Sequence, residues 1–118
     1  MKVIVLAFFT VFCAVSSTSA QIKTTDKAIV KVPTVACDAC RDYIEFTLQH
    51  LYGVTSAKVD IKKKIVTVSW LTDRTSIEGI REAIINIGYD ADGIEAEPSA
   101  WRGLPKECKA HIPKPKSN

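Results

Sequence analysis

The sequence is poor in the residues that most catalytic chemistry uses. It contains two histidines, His50 and His111, and four cysteines, Cys13, Cys37, Cys40 and Cys108, in 118 residues. No constellation of acid, base and nucleophile can be assembled from them, which argues for binding over catalysis. Four unevenly spaced cysteines are too few to staple a disulfide framework, so the core must come from ordinary packing. Arginine-rich runs and interleaved aromatic and basic residues are also lacking. With a formal charge of only +3, no nucleic-acid partner is expected. The longest apolar run, Val3 to Val15, falls short of the roughly 20 residues that span a bilayer. Nearly half of the residues are apolar (47%), enough for one small domain with extensions.

That apolar run has a different use. Lys2 precedes it, and the small or polar residues Ser16 to Ala20 follow, ending in Thr18-Ser19-Ala20. A charged start, a short apolar segment and a small-residue end read as a secretory signal cut after Ala20. Cys13 is then filler inside the signal. Lipid attachment would want a small residue before it, and Phe12 stands there. The expected location is periplasmic or secreted. Three cysteines remain after cleavage, so they cannot all pair within one chain. In an oxidising compartment a closely spaced thiol pair needs a reductant, a bound metal or a disulfide partner.

Residues 21–26 form a polar leader. From Lys27 to Val32 apolar and polar residues alternate, with Ala28, Val30 and Val32 on one face, and Pro33 ends the strand. Asp38 to Tyr52 reads as a helix whose inner stripe is Cys40, Ile44, Leu48 and Leu51, stopped by Gly53. Val54 to Ile61 and Ile65 to Trp70 alternate as two further strands around a lysine tip, Lys62 to Lys64. Thr75-Ser76-Ile77-Glu78 is a capping box with Thr75 as N-cap, opening a second helix with Ile77, Ile80, Ile84 and Ile87 inward and Gly88 as its end. Tyr89 to Glu95 supplies a short fourth strand. The order β-α-β-β-α-β predicts an α+β fold, a ferredoxin-like sandwich over 27–95. Residues 96–118 form a proline- and lysine-rich tail broken by Pro98, Pro105, Pro113 and Pro115, with Trp101 and Leu104 apolar enough to pin it to the domain.

The chemistry concentrates at Cys37-Asp38-Ala39-Cys40, between the first strand and the first helix. A helix N-terminus stabilises negative charge, so thiolates are favoured there. Two such thiolates can grip a soft metal or close a disulfide. A bare CxxC also marks redox enzymes and half of a zinc site. A thioredoxin-like protein would carry Trp before the motif, and this chain does not.

The stretch from Lys27 to Asp92 resembles the heavy-metal-associated domain of copper chaperones, P-type metal ATPase N-termini and the periplasmic mercury-binding protein. The resemblance is carried by CxxC after the first strand, Ile44 and Leu48 four and eight residues past Cys40, Gly53-Val54, and the closing Gly88-Tyr89. With its N-terminal signal the chain is most similar to small exported members from Gram-negative bacteria. It departs from the family where Gly-Met-Thr usually precedes the first cysteine, since Thr34-Val35-Ala36 stands there. Val35 is placed to plug the core beneath the loop.

The resemblance implies metal binding and transfer without enzymatic activity. Cys37 and Cys40 would be the ligands, and the partner a metal-transporting membrane protein or another heavy-metal-associated domain. The protein would be a monomer or a metal-bridged dimer. Two thiolates without a carboxylate cluster suit Cu(I) first, Hg(II) or Ag(I) next, and Zn(II) after them. Zinc prefers four ligands, which would draw in Cys108, His111 or Asp38. Cys108 and His111, three residues apart in the tail, are candidate additional ligands to any of these metals. Two alternatives stay open: a mercury-binding resistance protein, and a thiol–disulfide protein cycling the same pair.

Overall fold

Residues 24–115 are described in a computed structural model of the chain. The expected signal segment and Cys13 lie outside them, as do residues 21–23 of the expected leader, whose Thr25 and Asp26 instead begin the first strand. Among the described residues no helix is long and apolar enough to cross a membrane.

Three strands, β1 (Thr25–Lys31), β2 (Val54–Asp60) and β3 (Ile65–Leu71), form one antiparallel sheet in the order β1-β3-β2. The alternation in the sequence translates directly into burial: Val66, Val68 and Trp70 of β3 face inward with Val30 of β1 and Ala57 of β2. Helix α1 (Asp38–Gln49) contributes Cys40, Ile44 and Leu48, and α2 (Ile77–Asn86) contributes Ile80 and Ile84 to the same core. A fully buried side chain of this size is worth about 1.5–3 kcal/mol relative to an exposed one. The stripes recognised by their spacing are therefore what holds the fold. Helix α1 ends earlier than the pattern suggested, because His50 already adopts the C-cap position. Gly53 then turns the chain at φ +90°, where a side chain would run into Arg74 and Thr75.

Two further expectations are corrected. The N-cap of α2 is Ser76 rather than Thr75: the Ser76 hydroxyl accepts from the Gly79 amide at 3.3 Å. Both residue types can cap, and the helix begins one position later than the capping box implied. The fourth strand does not form. Within Tyr89–Glu95 the chain turns at Asp92 (φ 48°) and Gly93 (φ 82°), and a single bridge joins Ala91 to Ile94. Asp92 substitutes for a strand at the edge of β1. Its amide donates to the Lys31 carbonyl at 2.9 Å, and its carboxylate accepts from the Lys31 amide at 2.7 Å and from Arg81 at 2.8 Å.

The tail folds back on the domain. Its prolines start structure rather than only breaking it. Pro98 opens a 3₁₀ segment, η1 (Pro98–Gly103), and Pro105 precedes a single helical turn, α3 (Lys106–Lys109), as suits a residue with no amide to satisfy. Leu104, Cys108 and Ile112, spaced four apart, are buried together. Leu104 lies against Gly88, whose φ of +107° strains any side chain there and where an added Cβ would come within 3.0 Å of Leu104 Cδ2. Trp101 closes the arrangement by donating its indole N–H to the Ile112 carbonyl at 2.9 Å.

Candidate metal centre

The loop between β1 and α1 is anchored from below. Val35 is fully buried, filling the place expected of it, and its amide donates to the Val32 carbonyl at 3.1 Å. Its own carbonyl accepts from Lys64 Nζ at 2.9 Å. So held, the loop delivers Cys37 as the N-cap of α1, in extended backbone (φ −150°, ψ 171°). Cys40 follows three residues later, in the first helical turn.

The two Sγ atoms are 3.4 Å apart. Cys37 is half-buried and Cys40 fully buried. The structure also brings Cys108 to this pair: the three sulfurs all lie within 4.8 Å of one another. The tail therefore covers part of the loop, which the sequence alone leaves exposed at one end of the sheet. His111 is exposed and does not belong to the group. Asp38 is exposed at the helix start and pairs with Arg41 at 3.4 Å. His50 is exposed too, with its ring Nδ1 2.7 Å from the Phe46 carbonyl.

Tyr89 completes the surroundings. It is fully buried, and its hydroxyl donates to Cys108 Sγ at 3.1 Å. The sequence marked it as part of the Gly88-Tyr89 ending and as the start of the expected fourth strand. What could have singled it out is a phenol in an otherwise apolar position, since a buried hydroxyl needs a partner.

The thiols are electrostatically unequal. Burial pushes the Cys40 thiol up. Hydrogen bonds from Cys108, at the Ala36 backbone, and from Tyr89 and Cys37 outweigh that burial, and its pKa is lowered overall. Cys108 goes the other way: burial and its bond to Cys40 push it up to about 12, although Tyr89 opposes this. Burial, then the bonds to Cys108 and Cys40, also raise the Tyr89 phenol, which stays a neutral donor. The arrangement favours a thiolate at Cys40, with Cys108 as the protonated neighbour that supports it. Three sulfurs, joined by no carboxylate among the described residues, form a donor set for soft metal ions.

Comparison with known proteins agrees with this chemistry. Residues 29–90, just over half of the chain, match the heavy-metal-associated domain. A copper chaperone, CopZ of Staphylococcus haemolyticus, is 44% identical over 62 residues, covering 52% of this chain and 91% of that protein. The periplasmic component of a mercuric transport protein from Shewanella putrefaciens is 33% identical over 60 residues, covering 51% of this chain and 66% of that protein. Among solved structures, a CopZ metallochaperone superposes with a TM-score of 0.54 at 29% identity, over 56% of this chain and 98% of that one. A βαββα core, a thiol pair at the start of its first helix and a family match that spans both make this chain a member of the heavy-metal-associated domain family.

Proposed function

We propose that the protein carries a soft metal ion, Cu(I) before Hg(II) or Ag(I), outside the cytoplasm and passes it on by ligand exchange. The single observation that carries this reading is the Cys37–Cys40 pair, with sulfurs 3.4 Å apart at the helix start. One thiol of the pair reaches the surface and the other is drawn toward the thiolate form. Copper takes first place because the copper chaperone shares 44% of the aligned residues against 33% for the mercuric component. Export rests on the N-terminal pattern of Lys2, the apolar run and Thr18-Ser19-Ala20. The acceptor would be another heavy-metal-associated domain, standing alone or attached to a metal-transporting membrane protein. A half-exposed Cys37 leaves room for an incoming thiolate to join the metal before the old bond breaks.

The test is a transfer experiment. Protein loaded anaerobically with one equivalent of Cu(I) is mixed with an acceptor heavy-metal-associated domain, or with a chelator. Transfer to the acceptor should be much faster than loss to the chelator, and should vanish when the acceptor's thiols are alkylated. Equal rates would indicate storage or scavenging. Failure to retain Cu(I), together with a readily formed Cys37–Cys40 disulfide, would favour the thiol–disulfide alternative.

A further inference from the structure

We propose that Cys108, delivered by the tail, is a third ligand to the metal held by Cys37 and Cys40, making a three-sulfur site that must give up one bond to hand its cargo on. The inference deepens the metal-carrying reading and rests on it.

Geometry favours three sulfurs over two. With a metal–thiolate distance of about 2.3 Å, three sulfurs in a plane around one ion lie about 4.0 Å apart, whereas two on opposite sides lie about 4.6 Å apart. The Cys37 and Cys40 sulfurs start at 3.4 Å, and the trio spans no more than 4.8 Å. A trigonal site needs the pair to open by about 0.6 Å, and a linear site needs about 1.2 Å, as follows from the same bond length. The larger movement is the harder one here. Cys40 is fully buried on a helix whose next two inward residues, Ile44 and Leu48, are fully buried as well, and packed interiors resist such shifts.

The plain alternative is that Cys108 is a small core residue, since free cysteine is among the most buried residue types. Two features go beyond packing. Its sulfur is directed at two other sulfurs, and it accepts a 3.1 Å hydrogen bond from a buried phenol. Metal binding would replace the Cys108 proton, and the phenol is already placed to donate to the thiolate that results. The tail is also fixed so as to keep Cys108 in place, by Leu104 against Gly88 and by Trp101 to Ile112 on either side. Among the described residues no His, Cys, Asp or Glu extends the trio to four. The set therefore suits three-coordinate Cu(I) or Hg(II) better than tetrahedral zinc. Transfer then exchanges sulfur for sulfur. The incoming thiolate bonds to the metal from the half-exposed Cys37 side as one resident bond, with Cys108 the natural candidate, breaks. No electron changes hands.

X-ray absorption and chelator competition on the Cu(I)-loaded full chain decide the matter, using wild type, Cys108→Ser and Cys108→Ala, with circular dichroism to confirm folding. The wild type should show three sulfur neighbours and each variant two. Affinity should fall at least about tenfold, the lower end of what losing even an outer-shell partner costs a metal site. Two sulfurs in the wild type would overturn the proposal whatever the variants do. So would three sulfurs and unchanged affinity in folded variants. Either result leaves the Cys37–Cys40 reading standing. A wild type that binds no Cu(I) would end both.

Discussion

The domain and its tail are held together in different ways. From β1 through α2 the inward residues repeat with the period of their element, and each strand or helix stripe supports several others in one core. The tail has no such redundancy. Leu104, Cys108 and Ile112 reach into the domain's core, the Glu97 amide donates to the Ile85 carbonyl at 3.0 Å, and Trp101 latches the tail on itself through the Ile112 carbonyl. Yet the three-sulfur group needs both, because two sulfurs come from the domain and one from the tail. The core of the domain and the returning tail thus meet in a single cluster.

The contrast can be broken most forcefully in the core. Ile44→Ala, at a fully buried position on α1, should cost about 2–5 kcal/mol. Thermal or denaturant unfolding should show one cooperative loss of both sheet and helix signals, and a shift below about 1 kcal/mol would mean that the core is looser than described. Leu104→Ala should act on the tail alone. Its cost is expected near the low end of the same range, about 2 kcal/mol, and local to the tail. Alkylation of Cys108, read by mass spectrometry, should accelerate strongly while the unfolding midpoint falls by less than in Ile44→Ala. Unchanged Cys108 labelling would show that Leu104 is not the anchor.

Smaller changes sharpen the boundary between the two regions. Tyr89→Phe removes the one hydroxyl that reaches Cys108 from the domain and should weaken Cu(I) binding by about 0.5–1.5 kcal/mol, the usual net worth of a hydrogen bond. The sulfur count should not change. A loss of one sulfur neighbour would make Tyr89 a residue that holds the tail in place. Ser76→Ala deletes an exposed 3.3 Å cap at the start of α2. It should cost about 0.5 kcal/mol of stability and leave Cu(I) affinity untouched.

The same contrast explains what could be read from the sequence. Strands and helices with a buried face announce themselves by period, so Val66-x-Val68-x-Trp70 and Cys40, Ile44, Leu48 were legible with their inward residues. So was the thiol pair, because a motif of four residues is local. The fourth strand misled because Tyr89 and Ala91 alternate with Asp90 as a strand would, while Asp92-Gly93 directly after them is a turn signal that ends the pattern. Leu104, Cys108 and Ile112 do carry a spacing of four. Prolines on both sides hide it, and nothing in the sequence says toward which end of the sheet the tail returns. The meeting of Cys108 with Cys37 and Cys40 is a tertiary fact. It depends on Gly88 admitting Leu104 at close range.

The central claim, that Cys37 and Cys40 are the primary ligands of a soft metal, is tested most directly by anaerobic Cu(I) titration against a competing chelator. Reduced wild type is compared with the Cys37→Ser/Cys40→Ser double variant, with elemental analysis of the product. The wild type should bind one equivalent tightly, and the folded double variant should lose that high-affinity binding. A double variant that retained wild-type affinity would contradict the account.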